Sequence, residues 1–177
     1  MRVIAGEFRS RRLRTIPGLN TRPTPDRLRE TLFDILAPRI EGTVFLDAYA
    51  GSGAVGIEAL SRGAARAILI ESSRAAAAVI RENLKNLGIE DRAEVVAGKV
   101  RTALPRFSPE IVFLDPPYDA AAEYDAALRA ARAPLVIAQH SSRMKLRERY
   151  GQLRRVRSVR QGDNVLSFYE PGAEASA

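Results

Sequence analysis

The chain has 177 residues, of which 46% are hydrophobic and 28% charged, as expected of one globular domain with its own core. It holds no cysteine and a single histidine, which excludes disulfides and thiolate-bound zinc and argues against a histidine metal site. No apolar run approaches the roughly 18 residues that a membrane span requires, and the first residues lack the apolar core of a secretion signal. We therefore expect a cytoplasmic protein that binds neither metal nor membrane.

Basic residues concentrate in two flanks of the chain. Residues 1–30 carry eight arginines against three acids, and residues 143–160 carry eight basic residues against one acid, within a net charge of +7. Arginine accounts for 25 of the 28 basic residues, and its side chain clasps phosphate and stacks on bases. Two basic flanks around an acidic middle favour a nucleic-acid partner; the alternative is a solvated basic surface.

The first elements in chain order are an arm and a helix. Residues 1–20 are predicted to form a short β-rich arm with many arginines, which ends at Pro17-Gly18. A helix should follow, with Thr24 as its N-cap, Pro25 at its first helical position and its end near Pro38.

From residue 43 onward, strand and helix patterns alternate, which is typical of an α/β fold with a mostly parallel sheet. Predicted strands lie at 43–47, 65–71, 93–97, 110–115 and 133–139, and predicted helices at 54–63, 73–88 and 123–132. Residues 153–161 and 165–170 predict a closing antiparallel hairpin, which brings the sheet to seven strands. We expect residues 173–177 to be frayed.

A glycine-rich turn follows the first predicted strand. Gly51, Gly53 and Gly56 match G-x-G-x-x-G, and Glu71 lies 20 residues after Gly51 at the end of the second strand. Taken alone, this pattern predicts a dinucleotide. Asp47 favours S-adenosylmethionine (AdoMet) instead, because its carboxylate can meet the α-ammonium of a methionine moiety but would repel a pyrophosphate at the helix N-terminus.

Asp115-Pro116-Pro117-Tyr118 follows the buried-strand pattern of residues 111–114. A carboxylate and a main-chain carbonyl can accept the two protons of an exocyclic amine and aim its lone pair at a methyl donor. The prolines offer no competing N–H donor, and Tyr118 offers an aromatic face for a planar ring. The motif thus indicates methyl transfer to such an amine; the alternative is a strand end with Asp115 as a cap and Tyr118 in the packing.

Four stretches resemble the RsmD family, a family of class I, Rossmann-type, AdoMet-dependent methyltransferases: residues 2–13, 21–33, 51–63 and 162–169. The string from Thr21 to Phe33 is far more specific than the D-P-P-Y motif. That family methylates a guanine in small-subunit ribosomal RNA. The resemblance therefore implies a Rossmann-like fold, AdoMet as cofactor, and the activity of a 16S rRNA (guanine(966)-N(2))-methyltransferase.

The resemblance also implies roles for individual residues. The partner would be ribosomal RNA or the assembling small subunit, and we expect a monomer with its catalytic domain at 21–172. Asp115 and the Pro116 carbonyl, shaped by Pro117, would orient the guanine amine, while Tyr118 stacks on the flipped base. AdoMet would be held by Asp47, Ala50, Gly51, Ser52, Gly53, Glu71 and Ser72, and RNA phosphates by Arg9, Arg11, Arg12, Arg14 and Arg22. The alternative for the arm is a structural element with solvated arginines.

Two positions depart from the family pattern. Lys99, after the third strand, replaces a polar acceptor that often contacts adenine, so the adenine contacts stay open. Gln139-His140 replaces Glu-His at the end of the fifth strand, and we interpret His140 as a structural or rim residue.

Other functions remain open at this stage. An adenine-N6 DNA methyltransferase would share the D-P-P-Y motif, but usually carries a separate target-recognition region. Glutamine methylation would use the same geometry, usually with Asn in place of Asp115. An RNA-binding module with an inactive cofactor site would keep the basic flanks, and an NAD oxidoreductase fits least well.

Overall fold

A computed structural model describes residues 1–18, 24–117 and 120–172. Within these ranges the chain forms one mixed sheet of eight strands, with helices on both faces. The strands are β1 (Val44–Asp47), β2 (Arg66–Glu71), β3 (Ala93–Ala97), β4 (Ile111–Leu114), β5 (Leu135–Ser141), β6 (Arg149–Tyr150), β7 (Leu153–Gln161) and β8 (Asn164–Pro171). The helices are α1 (Asp26–Leu36), α2 (Ala54–Ser61), α3 (Arg74–Leu87), α4 (Val100–Ala103) and α5 (Ala121–Ala130), with short 3-10 turns at Glu90–Arg92 and Leu104–Arg106.

The strand order, β3-β2-β1-β4-β5-β8-β7-β6, creates a topological switch point. The chain runs outward from β1 to β3 and then returns to β4, on the other side of β1. Strands β1 to β5 are parallel, whereas β8 pairs antiparallel with β5 and β7 with β8. The carboxyl ends of β1 and β4 therefore lie side by side, which is where open α/β sheets bind ligands.

The central strands are apolar along their length because both faces of the sheet are covered. All four residues of β4 are buried, and so are the last three of β1. One apolar core lies between the sheet and α1, α2 and α3, and the other lies between the sheet and α4, α5 and the segment after β5. None of the helices in the described ranges has both the length and the apolar character that a bilayer crossing demands.

The α/β class, the parallel sheet and the closing hairpin are confirmed, with two differences in detail. The sheet has eight strands and not seven, because the two residues of β6 pair with the start of β7. The arm is less regular than a β-rich segment, since residues 1–18 contribute only an isolated bridge between Arg2 and Arg12.

The arm is held by packing contacts and not by pairing with a strand of the sheet. Val3, Phe8 and Leu13 are buried in the same core as α1 and α2. Gly6 has φ +86° and runs so close to α2 that an added Cβ would lie 2.0 Å from the Ser61 carbonyl oxygen. The arm is therefore packed as part of the domain.

The start of α1 differs from the prediction. Pro25 occupies the N-cap position, and no side chain caps the helix there. The Thr24 hydroxyl instead donates to Oδ2 of Asp115 at 3.4 Å. The prediction of Thr24 as N-cap was wrong, because the hydroxyl is used by a tertiary contact across 91 residues of sequence.

Candidate active site

Asp47 ends β1 and anchors the N-terminus of α2. The residue is 2% exposed, and its Oδ2 accepts a hydrogen bond from the Gly56 amide at 3.1 Å. Gly53, the N-cap residue of α2, has φ +86° and no side chain with which to cap. Asp47 therefore supplies the capping carboxylate from the neighbouring strand end.

Gly56 makes this contact possible. A Cβ at this position would lie 2.7 Å from Cδ2 of Leu69 on β2. The third glycine of the motif thus lets α2 lie close on the sheet, which keeps the Gly56 amide within reach of Asp47.

Burial raises the pKa of Asp47 from the ordinary value of 3.8 to about 7, while the hydrogen bond from Gly56 acts in the opposite direction. The carboxylates of Asp115 and Glu71 raise this pKa further. Three acids from three strand ends therefore act on one small region. Such a region favours a cationic group, since a nearby positive charge would stabilise the ionised form of Asp47.

Glu71 fixes the glycine-rich loop from the end of β2. Its Oε2 accepts from the Gly51 amide at 2.7 Å, and its Oε1 accepts from the Ser73 amide at 3.0 Å. Each carboxylate oxygen can accept a further hydrogen bond, so hydroxyl groups of a ligand can still be held. In the same region, Ala50 is buried and Ser72 is exposed.

The D-P-P-Y motif begins at the carboxyl end of β4. Asp115 is half-buried, Pro116 is buried and Pro117 is exposed. The hydroxyl of Thr24, just before α1, reaches Asp115 and restrains the orientation of its carboxylate. Tyr118 lies outside the described residues, so the stacking face predicted for it stays a prediction.

The two positions that depart from the family pattern lie at the ends of β3 and β5. Lys99 is exposed at the start of α4. His140 is buried, with Nε2 2.7 Å from the Ser167 hydroxyl and Nδ1 3.0 Å from the Ser141 carbonyl. These contacts favour the structural interpretation of His140. Its neighbour Gln139 is also buried, and Oε1 of Gln139 has no hydrogen-bond partner within the described ranges.

The predicted RNA-binding arginines fall into two groups. Arg11 donates to the Asn86 carbonyl at 3.0 Å, and Arg14 pairs with Glu82 at 2.7 Å, so both are engaged by α3. Arg9 and Arg12 are exposed, and their side chains form no hydrogen bond or ion pair with any residue that the structure describes. Arg22 lies outside the described residues.

Asn83 joins the arm to the glycine-rich loop, a role that the sequence did not reveal. Its Oδ1 accepts from the Arg14 amide at 2.8 Å, and its Nδ2 donates to the carbonyls of Arg14 and Ser52 at 3.1 and 3.0 Å. The side chain is 1% exposed. The available signal was an asparagine on the apolar stripe of α3, where a polar group is costly unless its partners are fixed.

A second contact that was not predicted from the sequence connects the loop after β1 to α5. The Tyr49 hydroxyl donates to Glu123 at 2.8 Å, and Glu123 pairs with Arg101 at 3.4 Å. Burial, aided by the bond to Glu123, raises the pKa of Tyr49, so the hydroxyl keeps its proton at all working pH values. Within the part of the chain that the structure covers, no group of three or more His, Cys, Asp or Glu residues could hold a metal ion.

Comparison with known proteins gives a consistent result. A family model described as Conserved hypothetical protein 95 matches residues 1–170. YlbH of Bacillus subtilis is 32% identical over 186 residues, which cover 96% of this chain and 98% of YlbH. Ribosomal RNA small subunit methyltransferase D of Escherichia coli (strain K12) is 44% identical over 119 residues, which cover 67% of this chain and 60% of that relative.

Solved structures agree in fold. The Escherichia coli protein yhhF superposes with a TM-score of 0.86 at 32% identity, over 98% of this chain and 99% of its own. An RNA methyltransferase from Salinibacter ruber, solved with S-adenosyl-L-homocysteine, superposes with a TM-score of 0.69 over 88% of this chain and 98% of its own. At 19% identity the second likeness concerns the fold alone.

Asp47→Asn tests the charge state of the buried acid. The pKa of Asp47 is about 7 in the folded protein, against an ordinary value of 3.8. At pH values between these two, the folded protein therefore binds more protons than the unfolded chain. Its stability therefore falls as the pH rises through that window. The amide of the variant keeps an acceptor for Gly56 but does not ionise. We therefore expect the stability of the variant, measured relative to the original protein, to be about 3 kcal/mol more favourable at pH 8 than at pH 4.5. Urea denaturation of both proteins at the two pH values measures this gain, and a pH-independent difference would contradict it.

Asn83→Ala tests the bridge between the arm and the loop. The change leaves main-chain groups of Arg14 and Ser52 without their partner, so we expect a loss of about 2–3 kcal/mol in stability. Amide hydrogen exchange should accelerate together in residues 8–16 and 50–54. Asn86→Ala is the matched control, since this residue lies on the same helix with an exposed side chain. Faster exchange in the arm with an unchanged loop would rule out the bridging role.

Proposed function

The chain belongs to the RsmD family, whose model matches residues 1–170, and it is therefore an rRNA methyltransferase; we propose that its target is the N2 amine of a guanine in small-subunit rRNA. One observation carries this proposal. Two carboxylates of different environment, Asp47 and Asp115, lie at the ends of neighbouring strands at the switch point of the sheet. The buried carboxylate of Asp47 can bind a cationic group, and the half-buried carboxylate of Asp115 can accept a hydrogen bond from an amine that loses a proton in the reaction.

The residues at the ends of β1 and β2 fit AdoMet. Asp47 is buried and has a raised pKa, and an α-ammonium group beside it would restore the ionised form. The Glu71 carboxylate, already oriented by two amides, can accept from ribose hydroxyls. AdoMet supplies an electrophilic methyl group on its sulfonium, and the Salinibacter ruber neighbour with its bound S-adenosyl-L-homocysteine supports the same use of the fold.

Asp115 and the Pro116 carbonyl would act on the amine of the target base. Both accept hydrogen bonds, so together they can hold the two N–H groups and direct the nitrogen lone pair towards the methyl group. The Thr24 hydroxyl limits rotation of the Asp115 carboxylate. Catalysis then depends mainly on positioning, and a separate strong base is unnecessary because the amine becomes acidic once methylated.

The base must leave its stack before its amine can reach this site. We assign Tyr118 to stacking on the flipped base by its place in the motif. Arg9 and Arg12, whose side chains are exposed, would contact RNA phosphates along the arm, and Arg22 would extend this surface. Arg11 and Arg14 would act mainly by holding the arm on α3.

Asp115→Ala tests the chemistry. We expect methyl transfer to small-subunit rRNA to fall by at least about 100-fold, while AdoMet affinity stays within about twofold, because the carboxylate acts on the amine. Transfer is measured with labelled AdoMet on naked rRNA and on assembled small subunits from a strain lacking the activity, and the product is identified by nucleoside mass spectrometry. N2-methylguanosine supports the proposal, whereas N6-methyladenosine would replace it with the adenine alternative.

Arg9→Ala combined with Arg12→Ala tests the arm. A plot of log affinity against log salt has a negative slope, and each lost contact to a phosphate of single-stranded RNA makes it less steep by about 0.7. For the double variant we expect the steepness to fall by up to about 1.4. Arg66→Ala combined with Arg132→Ala is the matched control, because both residues are exposed next to the amino ends of β2 and β5, away from the carboxyl ends that carry Asp47 and Asp115. Equal slopes for the two double variants would mean that the arm does not contact RNA.

A further inference from the structure

A basic cavity of about 550 Å³ lies on the face of the sheet that α4 and α5 cover. Three segments line it, and each follows the carboxyl end of a strand: α4 after β3, α5 after β4, and residues 144–150 after β5. The cavity therefore begins near the edge of the sheet that carries Asp47 and Asp115 and extends along α5 as far as Arg129 and Tyr150. Its volume is within the range of small-molecule sites and can hold a nucleotide.

The charged lining is mostly positive. Arg101, Arg129, Lys145 and Arg147 contribute cations, and Asp125 contributes the acid. Asp125 pairs with Arg129 at 3.0 Å, and Arg101 pairs with Glu123. The side chains of Lys145 and Arg147 are exposed and make no hydrogen bond or ion pair with any residue in the described ranges. Two cations of the cavity are thus available for an anion.

The rest of the lining is small and apolar. Ala122 and Ala126 expose the surface of α5, and Met144 and Leu146 add apolar surface from the segment after β5. A cationic rim over such a floor matches the two parts of a nucleotide, because the rim can bind phosphate while the floor packs against the sugar or base.

The cavity is coupled to the active site by direct contacts. Glu123 on α5 pairs with Arg101 of the cavity and accepts from Tyr49, two residues after Asp47. The arm lies on the other face of the sheet, since its apolar residues belong to the core with α1 and α2. Arm and cavity therefore lie on opposite faces of the sheet.

We propose that this cavity binds a nucleotide of the rRNA substrate next to the methylated one, with its phosphate held by Lys145 and Arg147. The inference rests on the proposed function and deepens it, since it assigns part of the second basic flank, residues 143–160, to the substrate. The occupant is a nucleotide within an RNA chain, because Arg101 of the cavity pairs with Glu123, and Glu123 accepts from Tyr49 beside the candidate site.

Lys145→Ala combined with Arg147→Ala tests the phosphate contact. We expect affinity for a 16S rRNA transcript to fall about tenfold at moderate salt, and the salt slope to fall by about 0.7–1.4. Arg66→Ala combined with Arg132→Ala removes the same charge next to the amino ends of β2 and β5 and should change both quantities much less. Equal losses for the two double variants would overturn the proposal.

Labelling of single cysteines tests occupancy without any measurement of activity. The chain has no cysteine, so Ala122→Cys places a unique thiol in the cavity and Ala65→Cys places one at the far edge. The transcript should slow maleimide labelling of the first at least about fivefold and leave the second unchanged. Equal protection by guanosine monophosphate alone would overturn the proposal in favour of a free-nucleotide site, and no protection would exclude both.

These measurements separate failure of the inference from failure of the proposed function. Protection of Ala122→Cys without N2-methylguanosine formation would retain the RNA site and reject the chemistry. Guanine methylation without protection would retain the chemistry and reject the cavity.

Discussion

The buried carboxylate of Asp47 constrains the rest of the site. It is held at the end of β1 by the Gly56 amide, so α2 must approach the sheet closely. A Cβ at position 56 would come within 2.7 Å of Cδ2 of Leu69. The burial of Asp47 also keeps its pKa near neutrality. A group that is costly to ionise without a cation becomes a selective receptor for one, which is the property that an ammonium-bearing cofactor requires.

The arm is an integral part of this arrangement. Glu58 of α2, fully buried, accepts from the amides of Ile4 and Ala5 and pairs with Arg62. Asn83 of α3 then ties Arg14 to Ser52 in the glycine-rich loop. Because buried polar groups are stable only when their partners are fixed, these side chains couple the arm to the elements that carry the glycine-rich loop.

Basic and acidic side chains occupy different parts of the structure. The arm and the cationic cavity lie on opposite faces of the sheet, and the acids Asp47, Glu71 and Asp115 lie at the carboxyl ends of its strands. In the proposed function, this pattern separates two tasks. Positive charge would face the RNA, whereas the acids would hold a cationic methyl donor and the target amine.

The order of elements and most candidate residues could be predicted from the sequence, because apolar runs mark the strands, and parallel strands carry Asp47, Glu71 and Asp115 to one edge. Local pattern also located the closing hairpin. The Thr24–Asp115 contact and the Asn83 bridge join residues 91 and 69 positions apart. The cavity likewise gathers α4, α5 and the segment after β5. Only the tertiary structure decided these features, since they depend on which distant surfaces meet, and no local periodicity records such contacts.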